Sequence, residues 1–133
     1  MIVLEKHDVN AYSPLTLAFL GDSVYEQLVR EKLVLTANMP VGKLHYYTVC
    51  RVRASYQARA VDLILPMLDD EELRILKRGR NATGATVPKN SSPSEYRKAT
   101  SLETLFGYHY LLRNTDRITE LFEKIWSEVE VQP

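Results

Sequence analysis

The 133 residues are 45% hydrophobic and 26% charged, the balance of a chain that folds around one core rather than one that stays disordered. Seventeen Lys and Arg offset seventeen Asp and Glu, and no run approaches the ~20 apolar residues needed to cross a bilayer. Cys50 is alone, which excludes an internal disulfide framework and fits a reducing cytoplasm. Glu5, Lys6 and Asp8 arrive too early for a secretory signal, so a cytoplasmic location without membrane attachment is expected.

The charges are unevenly spread. From Lys43 to Lys98 there are eleven bases and six acids, net +5, and the flanks carry the compensating −5. A neutral chain with this layout can still offer a basic face to a polyanion.

The elements read as helical nearly throughout, with five glycines in the chain and no alternating strand pattern. Ser13-Pro14 is a helix start, since Ser can cap and Pro fits the first helical position. Leu17, Leu20, Val24 and Leu28 then recur at three- and four-residue spacing as one buried stripe. A second helix is expected from Pro40 or Val41 toward Leu65, with Pro66 as its terminus or kink. The third opens on Asp69-Asp70-Glu71-Glu72 and closes on Lys77-Arg78-Gly79-Arg80, acids and bases each complementing the helix dipole. A loop from Asn81 to Ser91 has no apolar period. Ser92-Pro93-Ser94-Glu95 forms a capping box for a fourth helix running to about Arg113. Thr115-Asp116 starts the last, whose apolar face is Ile118, Leu121, Phe122, Ile125 and Val129, with Trp126 beside it. The whole of residues 1–133 is expected to be a single domain.

Two segments carry chemistry. In Leu17-Ala18-Phe19-Leu20-Gly21-Asp22-Ser23-Val24, a Gly-Asp pair interrupts a strongly apolar helix. The glycine costs about 1 kcal/mol of helix propensity, and an unpaired buried carboxylate would cost more. Glu26, one turn later, shares a face with Asp22. In Ser101-Leu102-Glu103-Thr104-Leu105-Phe106-Gly107, Glu103 sits among apolar neighbours and Gly107 permits close backbone approach. Carboxylates in such surroundings suit a hard divalent cation such as Mg²⁺, with water completing its shell. The ordinary alternative for either acid alone is an ion pair with a nearby arginine.

Together the two segments resemble the ribonuclease III signatures. The first is similar to that family's Leu-Glu-Phe-Leu-Gly-Asp-Ala-Val, and the second to its Glu-Ala-Leu-(Ile/Leu)-Gly motif. Lys77-Arg78-Gly79-Arg80-Asn81-Ala82, Pro88-Lys89-Asn90 and Tyr96-Arg97 resemble the short Mini-ribonuclease III branch, which consists of the catalytic domain alone. The likeness spans about Ser13 to Tyr110. It implies an all-α homodimeric helical bundle with no double-stranded RNA-binding domain. Its reaction would be hydrolysis of double-stranded RNA by metal-activated water, giving 5′-phosphate and 3′-hydroxyl ends. Asp22 and Glu103 fall on the family's catalytic and metal-binding acids, for Mg²⁺ with Mn²⁺ as a substitute, and Phe19 on its dimer-interface aromatic.

Leu15, Ala18 and Thr100 stand where larger members of the family carry acids, leaving two protein carboxylates. The branch implies maturation of ribosomal RNA precursor (23S), with a ribosomal protein as a possible partner. Lys77, Arg78, Arg80, Lys89 and Arg97 are the expected RNA contacts, and Arg51 and Arg53 further candidates. The alternative is a catalytically silent relative that binds structured RNA or a ribosomal protein. His7-Asp8 hints at HD-type phosphohydrolases, but that family needs an upstream His which this sequence lacks, and His109 reads as a satisfied core histidine.

Overall fold

A computed structural model describes residues 2–82, 87, 89 and 92–132. Its helices are α1 (Lys6–Asn10), α2 (Pro14–Thr36), α3 (Val41–Val52), α4 (Ala54–Ile64), α5 (Asp70–Arg80), α6 (Pro93–Leu111) and α7 (Thr115–Glu128), with one 3₁₀ turn at Leu65–Met67. Among the described residues there is no strand, and no helix is long and apolar enough to cross a membrane.

Helix α6 is the axis of the bundle and lies against α2, α4 and α5 at once. Residues Ala99–Leu102 and Thr104–His109 are all buried along it, the all-round burial of a central helix rather than a surface one. The small polar side chains in that run turn their hydroxyls back on the helix. Thr100 donates to Tyr96 O at 3.0 Å, Ser101 to Lys98 O at 2.6 Å and Thr104 to Thr100 O at 2.7 Å. The rest of the core is one cluster that includes Leu17, Tyr25, Val29, Tyr56, Ile64, Ile75, Leu105, Phe106, Leu121 and Ile125.

The caps lie where the sequence signals them. Ser13 Oγ accepts from Thr16 N–H with Pro14 behind it, and Asp69 and Glu72 form a full reciprocal box at the start of α5. At α6 only half of the expected box exists: Ser92 Oγ accepts from Glu95 N–H at 3.4 Å, and no return bond from Glu95 is made. The expected second helix is two helices. The chain turns extended at Arg53 (φ −65°, ψ 152°), so α4 starts afresh and packs against α6. Pro66 lies in the 3₁₀ turn. Helix α6 stops at Leu111, before Arg113, which takes a left-handed conformation at φ 59° and turns the chain into α7. Helix α1 has no counterpart in the sequence reading, because five residues are too few to show a period. Of the expected loop between Asn81 and Ser91, residues 83–86, 88, 90 and 91 lie outside the described residues.

Candidate active site

Helices α2 and α6 cross at two glycines. A Cβ placed on Gly21 would fall 1.7 Å from the carbonyl oxygen of Glu103, and one on Gly107 would fall 2.0 Å from that of Leu17. No side chain fits either position, so the two backbones touch. The consequence is chemical: Asp22, next along α2, is set beside Glu103 on α6.

Asp22 is exposed and Glu103 half-buried. Burial pushes the Glu103 carboxyl up first, and the charge of Asp22 and a hydrogen bond shared with it push it further, to about 8. The buried Gln57 amide on α4 pulls weakly the other way. Two acids are thus held so close that in the bare protein one keeps its proton near neutrality. Among the described residues neither acid forms an ion pair with a Lys or Arg, whereas Glu26, one turn on, is paired with Arg30 at 3.0 Å.

The Ribonuclease III domain matches residues 15–114 of the sequence. The chain belongs to the ribonuclease III family. Curated relatives named Mini-ribonuclease 3 include one from Thermoanaerobacter sp. (strain X514), 43% identical over 91% of this chain and 85% of its own length. Another, from Brevibacillus brevis, is 39% identical over 92% of both chains. A crystal structure of a protein from Fusobacterium nucleatum superposes with a TM-score of 0.81, at 34% identity, over 90% of this chain and 96% of that one. The helical ribonuclease III fold and the endoribonuclease class expected from the signatures therefore hold.

Within this ribonuclease III fold, α2 and α6 deliver the two signature segments to one crossing. Phe19, one turn before Asp22 on α2, is 84% exposed, the largest value for any large hydrophobic side chain among the described residues. Thr100 turns its hydroxyl back onto Tyr96 O and Ala18 has no side-chain oxygen, so neither adds a ligand atom to the site. Lys77 and Arg78 line a cavity with Ser13, Pro14, Leu15 and Arg74, and Arg80 and Arg97 line another with Ser94 and Lys98. Lys77 and Arg80 also meet Lys98 along a third recess. Lys89 is exposed in a turn. Arg78 also donates to Tyr12 O at 3.1 Å. Gly79 seats this basic turn directly on Ser101 and Thr104 of α6, and Thr104 neighbours Glu103 in sequence. The basic surface and the acid pair are therefore carried by one stretch of α6.

Arg51 is not part of that surface. Its guanidinium stacks 3.5 Å from the Trp126 ring centre and donates to Tyr56 Oη at 2.8 Å, which commits it to holding α7 against α3 and α4. Arg53 bonds back to Val49 O at 3.4 Å. Sequence reasoning also missed Gln57. A glutamine in a helix carries no spacing signal that would single it out, and only the fold makes it one of the groups that act on the Glu103 carboxyl.

Proposed function

We propose that this chain is a Mg²⁺-dependent endoribonuclease that cuts double-stranded RNA at Asp22 and Glu103, leaving 5′-phosphate and 3′-hydroxyl ends. The observation that carries the reading is the glycine crossing, which forces two carboxylates together with no cationic partner among the described residues. Hard carboxylate oxygens, few in number and open to water on the Asp22 side, fit Mg²⁺, and Mn²⁺ as its substitute. When bound, the ion lowers the pKa of a coordinated water and stabilises negative charge on the leaving 3′ oxygen. Asp22 and Glu103 would hold it. The buried flank of Glu103 keeps water from that side, and loss of the Glu103 proton accompanies loading.

Lys77, Arg78, Arg80, Lys89 and Arg97 bind the phosphates of the duplex, which A-form RNA presents more readily than its base edges. Phe19 packs across a two-fold axis against a second copy. An 84% exposed phenylalanine beside the site otherwise leaves apolar surface in water, and a closed dimer would present one site to each strand. The substrate is a ribosomal RNA precursor (23S) in the cytoplasm, presented with or without a ribosomal protein. The resemblance of the sequence motifs to the Mini-ribonuclease III branch is what supports this assignment.

The test is cleavage of a long paired RNA, and of 23S precursor, with Mg²⁺ and with EDTA, by the native protein, Asp22→Asn and Glu103→Gln. The expected result is Mg²⁺-dependent 5′-phosphate fragments from the native protein alone, with RNA binding kept in both variants. Binding without cleavage by the native protein would favour the silent-domain reading, which Leu15, Ala18 and Thr100 in place of acids motivate.

A further inference from the structure

The N-terminal segment is fastened to the basic face of α5. Val9 on α1 is 0% exposed, and Lys6 Nζ lies 2.8 Å from Glu71 Oε2. Arg74 donates through a terminal nitrogen to Asn10 Oδ1 at 3.1 Å, and Arg78 donates to Tyr12 O at 3.1 Å. Neither acceptor is a carboxylate, so both bonds set a direction for a guanidinium without cancelling its charge. Each guanidinium keeps further N–H donors for another partner. The acid beside Arg74 is Glu71 at 3.8 Å, and it is shared with Lys6 and Tyr108.

Arg74, Lys77 and Arg78 stand three and four residues apart on one stripe of α5. They line a cavity of about 620 Å³ whose other wall is Ser13, Pro14 and Leu15 at the start of α2. Among the described residues three cations and no acid line it. Leu15 stands where larger members of the family carry an acid, so no carboxylate from α2 meets these cations. The Thr104 hydroxyl donates to Pro14 O at 3.2 Å, which ties that wall to α6 next to Glu103. Leu15 also lies seven residues before Asp22, on the same face of α2 and about 10 Å along its axis.

We propose that this cavity seats one backbone phosphate of the RNA, within a few nucleotides of the phosphate that is cut. Arg74, Lys77 and Arg78 bind it, and Arg74 thereby joins the contacts expected from the sequence. Asn10 is a positioning residue that aims Arg74 at the seat. The inference rests on the reading of Asp22 and Glu103 as the cleavage site, and deepens it by fixing where the duplex lies along α2. A guanidinium held in place beforehand needs less ordering when the phosphate arrives, worth about 2- to 10-fold in affinity.

The test measures duplex RNA binding in EDTA against salt for native protein, Arg74→Gln, Asn10→Ala and the double variant, with melting temperatures as the check on folding. Arg74→Gln is expected to flatten the slope of log K against log salt by about 0.7–0.9. Asn10→Ala removes no charge. It is expected to weaken binding about 2- to 10-fold at an unchanged slope, and to do nothing further once residue 74 is Gln. A native slope in folded Arg74→Gln overturns the seat. An Asn10→Ala loss that is the same with and without Arg74 overturns the positioning role.

Duplexes with a single neutral methylphosphonate on either side of the cut then locate the seat in Mg²⁺. At one position, or two adjacent ones, the neutral group is expected to raise KM for native protein and leave Arg74→Gln unmoved. If native protein cuts RNA and the two proteins respond alike at every position, this inference alone fails. If native protein binds duplex and never cuts it, the nuclease reading fails, and the salt slopes still decide whether Arg74 holds a phosphate. If it binds no duplex, both fail.

Discussion

Asp22 and Glu103 repel one another because two glycines leave their helices nowhere else to go, and this has a measurable cost in the metal-free protein. In the unfolded chain the Glu103 carboxyl titrates at its ordinary 4.5; burial first, and the charge of Asp22 after it, raise it to about 8 when folded. A carboxyl raised in this way contributes stability that is full below pH 4.5 and lost as pH rises through about 8. Asp22→Asn removes the neighbouring charge, so Glu103 can ionise more cheaply. In EDTA the variant is expected to melt above the native protein at pH 8.5 and together with it at pH 5. Comparing the two proteins at each pH cancels His109, which burial holds below its ordinary value and which works in the opposite direction. Equal melting of the two at pH 8.5 would show that the acids do not feel each other. A gain in stability with a loss of cleavage is the signature of a site whose strain serves its chemistry.

Between elements, a buried ionic knot does work that the sequence pattern assigns elsewhere. Arg117 at the start of α7 grips Glu72 on α5 with two bonds of 2.8 Å, and donates to Met67 O at 2.7 Å. His109 Nε2 lies 2.7 Å from the same carboxylate, and Asn114 closes on His109 Nδ1 at 3.0 Å. Burial alone would raise Glu72, but the bonds from Arg117, Asp69 N–H and His109 overcome it and hold the carboxyl at about 2. Its contribution is therefore present above pH 4.5 and lost as pH falls toward 2. Arg117→Met strands a charge that is 2% exposed and is expected to cost about 3–5 kcal/mol in urea unfolding. The double variant Arg117→Met with Glu72→Leu should recover much of it, and a strictly additive loss would argue against the knot.

Local signals explain what was legible in advance at this scale. Caps at Ser13, Asp69 and Ser92 are carried by neighbours three residues apart, so they place α2, α5 and α6 directly. The charge pattern from Asp69 to Glu72 reads as a helix dipole, and that reading is right for Asp70, yet it hides Glu72, whose partner lies 45 residues downstream. The break at Arg53 has no Pro or Gly to announce it and arises from packing on α6. The acid pair was legible as two motifs. That the motifs meet needed the crossing.

Taken whole, the chain is neutral yet its charge is sorted, and the test of that sorting is how RNA affinity depends on salt. Each phosphate that is no longer neutralised by a base should flatten the slope of log K against log salt by about 0.7–0.9. Lys77, Arg80 and Arg97 are exposed and make no ion pair with an acid among the described residues, so converting all three to Gln should weaken RNA binding without disturbing the fold. Lys98 is different: it is spent on Asp62 at 2.9 Å, and Lys98→Gln should change the slope little. Phe19→Glu acts on the same quantity from another direction. It buries a charge in the proposed two-fold contact, and sedimentation should show a monomer. If a duplex is held by both copies, that monomer should keep its basic residues and still lose about half of the native slope. The triple Gln variant should lose slope while remaining a dimer. A Phe19→Glu protein that sediments and titrates like the native one would remove Phe19 from any interface and leave each copy to bind RNA alone.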